Sequence, residues 1–340
     1  MTKSAKTWLA IAVSLILIGC IVFGGVMAML KWDFTKLSTD KYETNKYEIT
    51  EEYTNISVVT KTADIAFVIS ENSKCSVECY EQEKVRHSVT VRDGALVIDV
   101  VDSRKWYEHI GINFGAPKIT VYIPAGEYGA LSVKSNTGAV QIAKELSFAS
   151  IDVSESTGDV TSYASSSGGI KIKTSTGNIY VEGISAGSLE LSASTGNVTV
   201  SGVACRGDAT VRVTTGKVTA SGVRCDGDVS VDVSTGKAYL TDITCKSLIS
   251  DGDTGSISLT NVIAEERLSI ERSTGDVTFD GCDAAKLSVE TDTGDVRGSL
   301  LTDKVFTVST DTGKIDVPQT ASGGRCEIST DTGDINITIK

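Results

Sequence analysis

The chain has 340 residues, a formal net charge of −12, 6% aromatic residues, 32 glycines and 3 prolines. An acidic balance of that size excludes nucleic acid as a partner and disfavours anionic polymers and lipid surfaces, since phosphate backbones are bound by neutralising them with Lys and Arg. Length alone allows two domains, but the apolar positions recur too evenly for two unrelated cores.

At the front, residues 7–30 carry no charge over about 24 positions, enough to cross a hydrocarbon layer of about 30 Å as a helix. Lys3 and Lys6 precede this stretch and no acidic residue does. The positive-inside rule therefore places a tail of residues 1–6 in the cytoplasm and the bulk of the chain outside. A secretory signal is the competing reading, but the stretch is too long and lacks a small-x-small exit. Leu17-Ile18-Gly19-Cys20 resembles a lipoprotein lipobox, yet Ile21-Val22-Phe23 continue the apolar run where a lipidated cysteine is followed by polar residues. Either way the product is held to a membrane. Residues 31–47 are polar and of mixed charge and read as a stalk. Residues 48–124 read as strands of uneven length, with Arg92-Asp93-Gly94-Ala95 as a hairpin turn. This segment is expected to cap the rest of the chain, because an open sheet edge invites aggregation.

From residue 125 to 340 the chain repeats. Thr-Gly recurs at intervals of 19 or 20 residues, with glycines at Gly138, Gly158, Gly177, Gly196, Gly216, Gly236, Gly255, Gly275, Gly294, Gly313 and Gly333. Seven and five residues before the glycine stand apolar pairs such as Leu131/Val133 and Ile170/Ile172. Two and four after it stand pairs such as Val140/Ile142 and Val198/Val200. A spacing of two puts both members of a pair on one face of a strand. A further apolar residue lies seven after the glycine (Ile184, Val203, Val223, Ile243, Val262), and a small one nine after it (Ala186, Cys205, Cys225, Cys245, Ala264). Each repeat is thus one coil: strand, Thr-Gly turn, strand, corner. A fixed period of this length is the signature of a solenoid. Parallel coils about 4.8 Å apart make a rod about 50 Å long, and the preference for right-handed connections makes it a right-handed parallel β-helix. The last coil, Ile335 to Lys340, ends in mid-strand and is expected to leave a pairing edge for self-association.

A front segment with Asp93, Gly94 and Leu96 in a hairpin, a strand ending Tyr122-Ile123-Pro124, and coils reading Ser-Thr-Gly-Asp-Val (156–160, 273–277) resemble the bacterial putative-adhesin family of membrane-anchored β-strand-repeat proteins. The resemblance covers most of residues 48–340. It implies an extracytoplasmic, envelope-associated module, sometimes linked to envelope-stress regulation, and brings no catalytic residue with it.

The residues themselves offer little chemistry. The acidic turns Asp292, Asp295, Asp311, Asp331 and Asp334 would stack about 5 Å apart and form a candidate Ca²⁺ column of oxygen ligands. The competing reading is that each Asp caps its own turn, and Lys217, Lys237 and Lys314 interrupt the row. Cys205, Cys225 and Cys245 fall in one column shared with Ala186 and Ala264, which reads as small-residue packing. Cys75 and Cys79 are about 13 Å apart along an extended strand, too far to pair with each other. His87 and His109 are the only histidines, and both lie outside the repeats. Trp106-Tyr107-Glu108-His109 is the one aromatic-rich loop, read as packing on the first coil rather than as a ligand site. Coils that vary in length by one residue carry no long loops on which to build a catalytic cleft. The expectation is a non-enzymatic, membrane-anchored rod acting as an adhesin or envelope scaffold, without cofactor and with an unidentified protein or surface ligand. The alternative is an envelope-stress sensor that signals through its helix, where Gly19, Gly24 and Gly25, with Cys20 and Ala28, permit close helix packing.

Overall fold

A computed structural model describes residues 3–33, 41–106 and 115–340. Among these residues, one helix, Lys3–Met29, is followed by 28 strands joined in one continuous sheet. The helix runs unbroken through Cys20, and its segment Ser4–Met29 is long and apolar enough to cross a membrane.

The repeats form the expected β-solenoid. From Gly126 onward every strand pairing between coils is parallel and nearly always in register. Leu131, Ile151, Ile170, Leu189, Ala209, Val229, Leu248, Leu268, Leu287 and Cys326 stack into one interior column. Val140, Val160, Ile179, Val198, Val218 and their successors form a second. Ile184, Val203, Val223, Ile243 and Val262 line the corner, and all are buried. Branched side chains suit this stacked pleat because their few rotamers fill it without further entropy loss.

The Thr-Gly turn needs glycine for two separate reasons. Nine of the eleven glycines hold φ between +129° and +158°, a region closed to residues with a Cβ. The coils also touch backbone to backbone there: a Cβ on Gly236 would sit 1.6 Å from the Gly216 carbonyl oxygen, and one on Gly158 1.8 Å from that of Gly138. Ten of the eleven glycine N–H groups in turn donate to the threonine carbonyl of a neighbouring coil, as Gly158 does to Thr176 at 2.8 Å.

The two ends depart from the simple repeat. The stalk expected over 31–47 is shorter than that, since Tyr42–Ile49 is already a strand; residues 34–40 lie outside the described residues. The solenoid also begins before residue 125. Strands Asn55–Val59 and Asp64–Ile69 form a coil directly beneath the first Thr-Gly repeat, with Ile56 on Leu131 and Ile65 on Val140. Ala95–Asp102 and Lys118–Ile123 add one more parallel level. The direction then reverses: Val85–Arg92 runs antiparallel on Ala95–Asp102 through the Asp93-Gly94 hairpin, and Cys75–Gln82 antiparallel on Lys118–Ile123, with Tyr42–Ile49 outermost. These antiparallel strands form a lid over this end of the rod. Their edges carry Glu43, Lys46, Glu48, Arg86 and Arg92, charges of the kind that discourage further pairing.

At the other end the order of coils is inverted, which corrects the expectation for the final coil. Strand Gly324–Thr332 lies between Val277–Thr293 and Lys304–Thr312. Ile335–Ile339 likewise lies between Val296–Leu300 and Ile315–Asp316. The last coil of the sequence is therefore inside the stack, and the coil before it is at the end. Side-chain content explains the exchange. Cys326, Ile328, Ile335 and Ile337 fill the interior position completely, whereas Phe306 and Val308 are half-buried. Pro318, which cannot donate to a ladder, follows the outermost coil, where no partner is required.

Candidate functional site

The turn column answers the question of the acidic residues. Where Asp, Asn or Ser follows the glycine, its side chain reaches one coil along and accepts that coil's backbone N–H. Asp159 Oδ1 takes Asn178 N–H at 2.7 Å, Asn178 Oδ1 takes Asn197 N–H at 3.0 Å, and Asn197 Oδ1 takes Lys217 N–H at 3.0 Å. The ladder resumes with Asp276 to Asp295, Asp295 to Asp334 and Asp334 to Lys314, at 3.0, 2.8 and 2.8 Å. Asp295 and Asp334 thus each commit an oxygen to the neighbouring coil rather than to their own turn. Asp292, Asp331 and Asp311 stack in that order, exposed to solvent. The five carboxylates do not converge. Among the described residues, the one group of three metal-ligating side chains whose ligand atoms lie within 4.8 Å of one another is Cys79, Glu81 and His87.

That group sits where the lid meets the first coil. Cys79 and Glu81 are two apart on Cys75–Gln82 and therefore face the same way, and His87 faces them from Val85–Arg92 after a tight turn. Glu81 is 0% exposed, His87 3% and Thr60, which follows the first coil's opening strand, 4%. Glu81 Oε2 accepts from His87 Nδ1 at 2.7 Å and from the His87 backbone N–H at 2.6 Å, while Asn45 Nδ2 donates to Oε1 at 2.8 Å. His87 Nε2 lies 2.9 Å from Thr60 Oγ1. Burial pushes the Glu81 carboxyl up, but the His87 and Asn45 hydrogen bonds outweigh it and hold the group below its usual value. Burial pushes the Cys79 thiol up to about 12. A cavity of about 170 Å³ lined by Thr60, Gln82, His87 and Arg104 opens beside the cluster. Sequence reading missed this site because Thr60, Asn45 and Glu81 belong to no motif. The only signal was the rarity of His87 in a chain with two histidines.

The remaining candidates are structural. Cys205 stacks on Cys225 and Ala186 on Cys205, as the shared small-residue column requires, and all seven cysteines beyond the helix are buried free thiols. Trp106 is exposed, while Tyr107, Glu108 and His109 lie outside the described residues. Among the described residues, the outermost C-terminal coil leaves the edge of Lys304–Thr312 without a strand partner on one side, with Val305 41% and Ile315 46% exposed.

A family model described as Toastrack DUF4097 matches residues 53–241 and 221–340. Similar solved structures include a putative adhesin from Bacteroides fragilis (15% identity, 88% of this chain and 97% of that one, TM-score 0.34). A putative adhesin from Parabacteroides distasonis matches at 12% identity over 77% of this chain and 98% of that one, TM-score 0.46. A putative lipid binding protein from the same organism matches at 15% identity over 76% of this chain and 97% of that one, TM-score 0.38. No curated protein matches the sequence.

Proposed function

The chain belongs to the Toastrack DUF4097 family, and from that premise we propose that it is a non-enzymatic rod held to the membrane by its N-terminal helix and displayed outside the cell for adhesion or envelope scaffolding. The observation that carries this reading is the helix Ser4–Met29, whose most apolar stretch is 0% buried against the rest of the molecule. An apolar helix that its own fold leaves uncovered must be covered by something else, and lipid is the medium that suits about 20 consecutive apolar residues. Lys3 and Lys6 ahead of it favour a cytoplasmic N-terminus. Deletion of residues 1–30 is expected to move the protein from the membrane pellet to the soluble fraction with its melting temperature unchanged; a truncated chain that stayed with the membrane would refute the anchoring role. The unpaired edge at Lys304–Thr312 supplies a place for self-association or for an extended segment of a surface partner.

A second reading, a sensor of envelope state, draws on the helix itself. Gly19, Gly24 and Gly25 have open space where a side chain would stand, so a partner helix can approach the backbone closely. Leucine at Gly24 and Gly25 is expected to abolish such signalling and leave surface attachment intact; loss of both together would count against separate roles.

A further inference from the structure

We propose that Cys79, Glu81 and His87 form a binding site for a borderline divalent cation of the zinc type, set at the junction of the lid with the first coil. The donor set is one that such a cation takes: a thiolate sulfur, an imidazole nitrogen and a carboxylate oxygen. All three side chains are buried, and their ligand atoms lie within 4.8 Å of one another. Around a tetrahedral cation with bonds of 2.0–2.3 Å, ligand atoms are about 3.3–3.8 Å apart. The sulfur and oxygen are within reach of that spacing, and the 2.7 Å contact between His87 Nδ1 and Glu81 Oε2 must widen by about 0.6 Å to admit the ion.

The surroundings orient these ligands as outer-shell partners do. Thr60 Oγ1 lies 2.9 Å from His87 Nε2; when the ion displaces the Nδ1 proton that bonds Glu81, Thr60 can accept Nε2–H and hold the tautomer that coordinates through Nδ1. Asn45 Nδ2 holds Glu81 Oε1 at 2.8 Å and so turns Oε2 into the cluster. Charge also favours an ion here. A carboxylate, a thiolate and a divalent cation sum to zero net charge, which suits a buried site. Three protein ligands leave a fourth position for water, and a cavity of about 170 Å³ lined by His87, Thr60 and Gln82 lies beside the imidazole. Bound there, the ion would tie Cys75–Gln82 to Val85–Arg92 and stiffen the lid against the first coil.

The test is titration of Co²⁺ into the full chain in detergent micelles, read by the near-ultraviolet sulfur-to-cobalt charge-transfer band. One equivalent is expected to raise the band, Zn²⁺ to displace it, and Cys79→Ser to abolish it, while Cys75→Ser on the same strand retains it. Absence of the band in the folded wild-type protein would overturn the proposal, as would a band that persists in Cys79→Ser. The wild-type titration decides the matter even if the variant fails to fold.

Discussion

Single buried groups set the local energetics of the rod. Glu155 occupies the interior column otherwise filled by Thr174, Ala193, Val213 and Val233. It is 4% exposed, and neither carboxylate oxygen has a hydrogen-bond partner; the Ser135 hydroxyl and the backbone at Ser156 and Thr157 lie near without reaching bonding geometry. Burial pushes this carboxyl above its usual 4.5. A group raised in the folded state contributes its stability fully below that value and loses it as pH rises through the folded one. Glu155→Gln is therefore expected to stabilise the rod at pH 7 by about 1–3 kcal/mol. The gain should vanish near pH 4 in thermal melts; an equal gain at both pH values would show that charge is not the cause. The turn glycines have the opposite sensitivity. A Cβ at Gly236 meets a carbonyl oxygen at 1.6 Å, so Gly236→Ala is expected to cost at least about 3 kcal/mol, since that backbone contact cannot move without separating two coils. Gly183, with nothing within 4 Å of a Cβ, should tolerate alanine better and lose only what its φ of +65° demands.

Elements were legible in the sequence to different degrees. Period, turn chemistry and interior pairs identified each coil, because one coil's content is local. The order of the last two coils was not legible: a period of 19 or 20 residues states that coils stack, and any stacking of like coils satisfies it. Only the fuller burial of Cys326, Ile328, Ile335 and Ile337 relative to Phe306 and Val308 distinguishes the two orders. The cross-coil reach of Asp159, Asp276 and Asp295 was hidden for the same reason, since an Asp beside a turn glycine reads as a cap of its own turn. The lid was legible only as a hairpin at Asp93-Gly94. Its latch joins residues 27 apart, Thr60 and His87, with no shared motif. Removing His87 leaves the buried Glu81 carboxylate without its imidazole partner, so His87→Ala is expected to destabilise the lid by about 3–5 kcal/mol. Hydrogen exchange should then rise in Cys75–Arg92 ahead of the repeats; a uniform rise along the rod would contradict a local latch. At the other end, Val305→Lys and Thr307→Lys place charges on the unpaired strand. They are expected to lower any concentration-dependent dimer seen by sedimentation at least tenfold, and an unchanged dimer would place the interface elsewhere.

For the whole molecule, asymmetry is the feature that connects fold to function. One end of the rod is closed by antiparallel, charged strands and receives the chain from the helix. At the other, among the described residues, the parallel edge of Lys304–Thr312 has no strand partner on one side. Between them the coils vary in length by one residue and bury nearly all their branched side chains. In the proposed anchored arrangement, the open end lies farthest from the helix. Sequence made the helix and the repeats plain, but composition cannot say on which side of a membrane the rod stands, beyond the bias of Lys3 and Lys6. In a Cys20→Ala background the remaining native thiols are buried, so a membrane-impermeant maleimide reports on introduced cysteines alone. Asp311→Cys is expected to be labelled in intact cells and Thr2→Cys only after lysis. Labelling of Thr2→Cys in intact cells, with Asp311→Cys protected until lysis, would contradict it.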